Sequence, residues 1–221
     1  MIKENIEKLK KLIPGNVTIV AVSKNRTPEE IKEAVEAGIT DIGENKVQEV
    51  LLKYNALRAM SPEPRAIKWH MVGHLQTNKV KDAVKIFDLI QSVDSFHLAQ
   101  EIDRQAAKID KIQDVLIEVK TSPEATKSGL KPDDLIGVIR NISELKNINI
   151  KGLMTVAPIV DNPEDVRPYF RQLRDLRDSI CSELRFPSSE LILSMGMTED
   201  FEVAIQEGAN MIRLGRAIFK P

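Results

Sequence analysis

The chain has 221 residues, 42% of them hydrophobic and 29% charged, as expected of an ordinary globular protein. Its 32 basic and 33 acidic residues leave a net charge of -1, so no general field draws it to nucleic acid or an anionic membrane. A single cysteine, Cys181, excludes an internal disulfide and fits a reducing compartment.

The first fifteen residues carry Ile2, Ile6, Leu9 and Ile13 at helical spacing among lysines and glutamates. This predicts an amphipathic helix, not the apolar core of a signal peptide, and no run approaches a membrane span; the cytoplasm is the expected location. Short β-rich runs then follow at 17–23, 40–43, 68–72, 88–92, 113–120, 150–154, 191–195 and 210–214. Several are apolar on both faces, as parallel strands covered by helices should be. Helical patterns lie between them at 27–37, 45–59, 78–86, 95–110, 131–146, 162–184 and 199–207.

The boundaries carry recognisable chemistry. Thr27-Pro28-Glu29-Glu30 places a capping hydroxyl before a helix-starting proline, with Glu30 set to complete a capping box. Asn162-Pro163-Glu164-Asp165 repeats that start, and Gly38 and Gly208 stand where glycine ends a helix. Eight strands, seven intervening helices and an N-terminal helix predict an α/β fold, a single (β/α)8 TIM barrel spanning 1–221 as one domain. No glycine-rich dinucleotide turn follows the first strand, which argues against an open doubly wound sheet.

Active sites of such barrels lie at the C-terminal ends of the strands. Lys24 follows the first strand, and its amine is expected at a partly desolvated rim, where desolvation favours the neutral amine needed for a Schiff base. A solvated surface lysine is the competing reading. Ser194-Met195-Gly196-Met197-Thr198 and Leu214-Gly215-Arg216 end the last two strands, the place where these barrels often bind phosphate. Against this, Glu199 and Asp200 would repel an anion unless turned away; chain turning and helix capping explain the same residues equally well. Alternation along the last strand puts Met211 and Arg213 on one face and Ile212 and Leu214 on the other. Arg213 should therefore enter the barrel mouth, where it needs a ligand or a carboxylate such as Glu118 or Glu44. His70 and His74 have the spacing of a helical metal pair but lie on a strand and loop, so no metal is expected.

The run AVSKNRTPEEIKEAVEAGITDIGENKVQE resembles a signature of the pyridoxal phosphate (PLP) homeostasis protein family. So do WHMVGHLQTNK, LIQSVDS, TKSGL, KGLMTVAP and LSMGMTEDFEVAIQEGANMIRLGRAIF. The resemblance covers nearly the whole chain in order. It implies the barrel shared with the N-terminal domain of alanine racemase and pyridoxal 5′-phosphate as the sole cofactor. It implies that Lys24 forms the Schiff base and that Arg213 faces the pyridine nitrogen. Ser194, Gly196, Gly215 and Arg216 would hold the phosphate, and Asn45, His70 and Met154 would line the ring. His74, Lys120 and Arg216 depart from the usual family pattern, and at Arg216 a hydroxyl contact is replaced by a cation.

The resemblance implies a PLP carrier without catalytic residues of its own, with PLP and PLP-dependent apoenzymes as partners, no nucleic acid or membrane, and a monomeric state. An amino-acid racemase is the alternative, but it needs acid/base groups on both faces of the cofactor, and no second domain is expected to supply the other one. An arginine at the pyridine nitrogen also weakens the electron sink. A barrel aldolase or isomerase acting on a phosphorylated substrate is the reading that needs no PLP.

Overall fold

The computed structural model describes residues 1–60, 67–122, 128–184 and 191–220. Thr126 and Lys127 of the TKSGL motif, and Pro221, lie outside the described residues. Eight strands, β1 (Thr18–Val22), β2 (Asp41–Glu44), β3 (Lys68–Met71), β4 (Leu89–Val93), β5 (Gln113–Glu118), β6 (Ile148–Met154), β7 (Ile192–Ser194) and β8 (Met211–Leu214), pair in sequence order. All pairings are parallel, and β8 closes on β1 with Val20 opposite Arg213. The predicted barrel is thus present.

The helices are α1 (Ile2–Leu12), α2 (Pro28–Glu36), α3 (Val47–Met60), α4 (Val80–Ile86), α5 (Phe96–Ala107), α6 (Leu135–Ser143), α7 (Arg167–Leu184), α8 (Phe201–Gln206) and α9 (Arg216–Phe219). Capping explains where α2 begins. The Thr27 hydroxyl accepts from the Glu30 N–H at 3.3 Å, and the Glu30 carboxylate accepts from the Thr27 N–H at 2.8 Å. Such a box contributes about 1 kcal/mol. Gly38 and Gly208 close α2 and α8 at φ of 90° and 96°, a backbone region that a side chain resists.

Three predicted helices are shortened or divided. The 131–146 pattern becomes a 3-10 turn at Pro132–Asp134 followed by α6, and 162–184 opens with a 3-10 turn at Pro163–Val166 before α7. The segment at 78–86 likewise begins as a 3-10 turn, Thr77–Lys79. The sequence pattern misses α9, whose four residues are too few to show a period. The N-terminal helix lies against α2 and α9, and the Asn5 amide donates to the Ile218 and Lys220 carbonyls at 3.1 Å each.

The core has two layers. Alternate strand residues meet the helices, forming one large apolar shell that includes Ala21, Ile42, Ile117, Leu193, Ile212 and Leu214. The other face fills the barrel lumen with Val20, Leu89, Leu116, Met154 and Met211. This is the packed interior expected of eight strands, with the open upper rim as the place for ligand chemistry.

Candidate cofactor site

The expected alternation on β8 is realised. Met211 lies in the lumen, Ile212 and Leu214 lie under the helices, and Arg213 projects inward with only 4% of its surface exposed. Its guanidinium donates to the Ser194 hydroxyl at 2.7 Å and to the Thr155 carbonyl at 2.8 Å. Neither expected carboxylate forms an ion pair with it: Glu44 is bound to Lys53 at 2.6 Å, and Glu118 acts on Arg213 only through its field. Burial pushes Arg213 down to about 10, opposed by Glu118 and Asp200, so the group stays cationic at neutral pH.

Behind Arg213 a chain of polar side chains crosses the lumen. The Ser194 hydroxyl donates to Gln91 at 2.6 Å, the Gln91 amide meets His70 Nδ1 at 2.9 Å, and His70 Nε2 meets Asp41 at 3.0 Å. Burial alone would raise the Asp41 carboxyl, but the hydrogen bonds from His70 and Thr40 outweigh it and hold it below the usual range. All these lumenal groups are buried, so each needs its neighbour as a hydrogen-bond partner.

Above Arg213 opens a cleft of about 390 Å³, within the range of small-molecule sites. Lys24, Arg213, Gly215 and Arg216 all border it, together with Thr198, Met197 and the 158–161 loop. Four of the nine expected site residues therefore meet in one cavity. Lys24 is exposed, in a turn two residues past the end of β1, so the expected desolvated rim is corrected: the strand's apolar run ends below the amine.

The other five expected residues do not border the cleft. Ser194 is fully buried and its hydroxyl is engaged by Arg213 and Gln91; His70 and Met154 lie in the lumen beneath. Asn45 packs at the end of β2 against Gly73, where an added Cβ would come within 2.6 Å of the Asn45 carbonyl. Gly196 is buried at φ of 94°, and a Cβ there would meet Ala204 at 2.6 Å, so this glycine lets the loop after β7 settle on α8. The hydroxyl of that loop on the cleft wall belongs to Thr198, which accepts from the Ala217 N–H at 3.3 Å and so ties the loop to α9.

The two acids expected to oppose an anion, Glu199 and Asp200, are not turned away but border the cleft, each with a partner. The Asp200 carboxylate accepts from the Met197 N–H at 2.5 Å, and Glu199 pairs with Arg216 at 3.0 Å. An amine, a buried cation, a hydroxyl and a glycine at the strand end suit a ligand with an aldehyde, a ring and a phosphate, which is the chemistry of PLP. A larger hollow of about 500 Å³ lies at the opposite end of the barrel, between Ile13 and Asp41, away from the strand ends where barrel chemistry is carried. Among the described residues no group of three potential metal ligands occurs, and His74 pairs instead with Asp94 at 3.3 Å. No described helix is long and apolar enough to cross a membrane.

Sequence reading did not single out Gln91 or Lys53. Both are polar residues inside apolar stretches, a pattern that signals a buried network but not its partners.

The family model for the alanine racemase N-terminal domain matches residues 1–221. The pyridoxal phosphate homeostasis protein of Aquifex aeolicus is 46% identical over 91% of this chain and 85% of its own length. That of Synechocystis sp. is 37% identical over 94% and 92%. The solved structure of PipY from Synechococcus elongatus with PLP bound is 35% identical, covers 99% of this chain and 100% of its own, and superposes with a TM-score of 0.88. Alanine racemase of Clostridium difficile, at 15% identity and a TM-score of 0.75 over 56% of its length, shares the barrel alone. The chain belongs to the family of pyridoxal phosphate homeostasis proteins, built on the alanine racemase N-terminal barrel.

Proposed function

We propose that the chain binds pyridoxal 5′-phosphate reversibly and serves intracellular PLP homeostasis, with little or no turnover. The observation that carries this reading is the convergence of Lys24 and Arg213 on one cleft. Lys24 would hold the cofactor through its primary amine, the nucleophile that an aldehyde takes in exchange for its oxygen as water. Gly215, Arg216 and Thr198 would receive the phosphate, a role supported by their place on the cleft border, and Arg213 would supply a fixed cation beside them. Ser194, His70, Gln91 and Asp41 hold that cation from below. Asn45, Met154 and Gly196 do not border the cleft: Met154 fills the lumen below it, and Gly196 seats the loop after β7 on α8. When bound, PLP supplies a reactive carbonyl and an electron-withdrawing ring. An arginine that stays charged and faces the pyridine nitrogen would disfavour its protonation, which supports storage and transfer over catalysis. PLP-dependent apoenzymes are the recipients, and the monomer in the cytoplasm is the working form.

Borohydride reduction of the PLP-loaded protein followed by peptide mass spectrometry tests the tether. The adduct is expected on Lys24; an adduct elsewhere, or a spectrum unmoved by added PLP, would overturn the reading. Transfer from loaded protein to an apoenzyme, timed against free PLP, tests homeostasis.

One observation favours a second reading, slow racemase-like proton exchange. Glu118 ends β5, four strands around the barrel from β1 and Lys24, with its carboxyl pushed up to about 7 by burial and by Asp94, against Arg213. A carboxyl so tuned can give and take protons near neutrality, and it lines a separate hollow beside His74 and Lys120, not the Lys24 cleft. Incubating loaded protein with single-enantiomer amino acids in deuterated water separates the two: sustained α-proton exchange that Glu118→Gln abolishes would favour the racemase.

A further inference from the structure

Lys24 has no hydrogen bond or ion pair with any described residue, and its side chain is exposed. Whatever fixes its amine must therefore act through the backbone turn that carries it. That turn departs from Ser23, passes Asn25 at φ of 59°, and closes where the Arg26 N–H donates to the Ser23 carbonyl at 3.0 Å.

Ser23 is fully buried and every polar atom it has is engaged. Its N–H donates to the Gly43 carbonyl at 2.9 Å, and its hydroxyl donates to the Glu44 carboxylate. Its carbonyl also accepts from the Lys53 ammonium at 2.6 Å, and the same ammonium lies 2.6 Å from the Glu44 carboxylate. Glu44 shares the face of β2 with Ile42, which points into the helix layer, and so meets Lys53 on α3. Lys53 is 8% exposed and Glu44 is 0% exposed. The second Glu44 carboxylate oxygen has no partner among the described residues.

Lysine is rarely buried, and a buried ion pair is seldom more stable than apolar residues of the same shape. The contribution of this pair is therefore sought in position. We propose that Lys53 and Glu44 form a buried clamp on Ser23 that positions Lys24 for capture of the PLP aldehyde, an inference that rests on Lys24 being the tether. Lys53 and Glu44 are positioning residues; neither borders the cleft. The far end of the turn is held independently, by Arg26 pairing with Glu30 at 3.2 Å and stacking over Phe219 at 5.5 Å. Loss of the clamp thus misdirects Lys24 and leaves the phosphate-binding wall intact.

Two ligands separate these effects. PLP reports the cleft together with Lys24, whereas pyridoxine 5′-phosphate, which lacks the aldehyde, reports the cleft alone. In the full-length variant K53M/E44Q, PLP binding is expected to weaken between about tenfold and 100-fold, the scale at which misplacement of a reacting group is felt. Binding of pyridoxine 5′-phosphate is expected to stay within about twofold, and the yield of borohydride-trapped Lys24 to fall. Equal weakening of both ligands, or no change in either, would overturn the clamp. Should that variant fail to fold, S23A removes one hydroxyl and carries the same comparison, with an expected selective loss of roughly threefold. Trapping in the unaltered protein keeps the premise separate: a label away from Lys24 removes the tether and the clamp with it, whereas a label on Lys24 with unselective variants overturns the clamp alone.

Discussion

The Arg213 guanidinium and the Ser194 hydroxyl meet at 2.7 Å inside the barrel, and neither is spare. Ser194 donates its own hydrogen bond to the Gln91 carbonyl oxygen, so the cation under the cleft is the last member of a chain reaching Asp41 near the other end of the lumen. The serine expected from sequence to hold phosphate has its hydroxyl bonded to Arg213 and Gln91, while the loop after β7 presents Thr198 to the cleft.

Ser194→Ala tests that division of labour. It leaves an Arg213 N–H and the Gln91 carbonyl oxygen without their partner in a buried site, at a cost of roughly 1–3 kcal/mol. For a domain of this size that corresponds to a melting temperature lower by about 2–12 °C. Thr198→Ala should leave the melting temperature within about 2 °C and weaken pyridoxine 5′-phosphate binding several-fold, by roughly 1 kcal/mol. A Ser194→Ala protein of normal stability that loses phosphate affinity would make Ser194 itself a phosphate ligand.

Arg213→Met removes the only buried guanidinium of the described residues while keeping an unbranched apolar stem. Loss of a desolvated cation facing an anionic ligand is expected to weaken PLP binding on the order of 100-fold, as removal of one partner of a buried charge pair costs about 2–5 kcal/mol. Spectroscopic titration with PLP measures it. Retention of affinity within about twofold would remove Arg213 from the site.

Much of the fold is legible in the sequence because its signals are local. Parallel strands buried on both faces read as apolar runs, Thr27 and Glu30 mark a helix start within four residues, and period-two alternation is enough to turn Arg213 inward. The site is legible only in part, because its contacts are set by barrel closure. Glu44 and Lys53 are nine residues apart but on a strand and a helix, and His70 reaches Gln91 only across neighbouring strands. Lys24 shows the limit most clearly. Its place at a strand end is readable, but its exposure depends on a turn whose anchor is thirty residues away in Lys53.

Glu207 gives a test of the outer ring. Its carboxylate, 5% exposed, accepts from Arg167 at 2.9 Å and Arg174 at 2.8 Å, and lies 3.4 Å from Arg171, fastening α7 to the end of α8. The arginines keep contact with solvent, so Glu207→Ala strands no buried cation. The expected loss is roughly 1–3 kcal/mol for the charged hydrogen bonds, read as a lower urea midpoint with unchanged slope. PLP affinity should not change.

Glu118 makes stability depend on pH in a direction opposite to that of a salt-bridged carboxylate. Burial, with Asp94 adding to it and Arg213 opposing it, raises the folded-state value from 4.5 to about 7. The folded protein then binds more protons than the unfolded chain between these two values, so stability falls as pH rises through the window. The contribution is fully present below 4.5 and is lost by the time the pH has passed 7. Its size is on the order of 3 kcal/mol, from 1.36 kcal/mol for each unit of separation. Urea unfolding of the unliganded protein at pH 5, 6, 7 and 8, compared with Glu118→Gln, isolates this group from every other titration. The difference between the two proteins should widen in favour of the glutamine variant as the pH rises, because glutamine places no charge in that desolvated position. A constant difference across the series would mean that Glu118 titrates near its ordinary value, and the acid/base role open to it in the racemase-like reading would go with it.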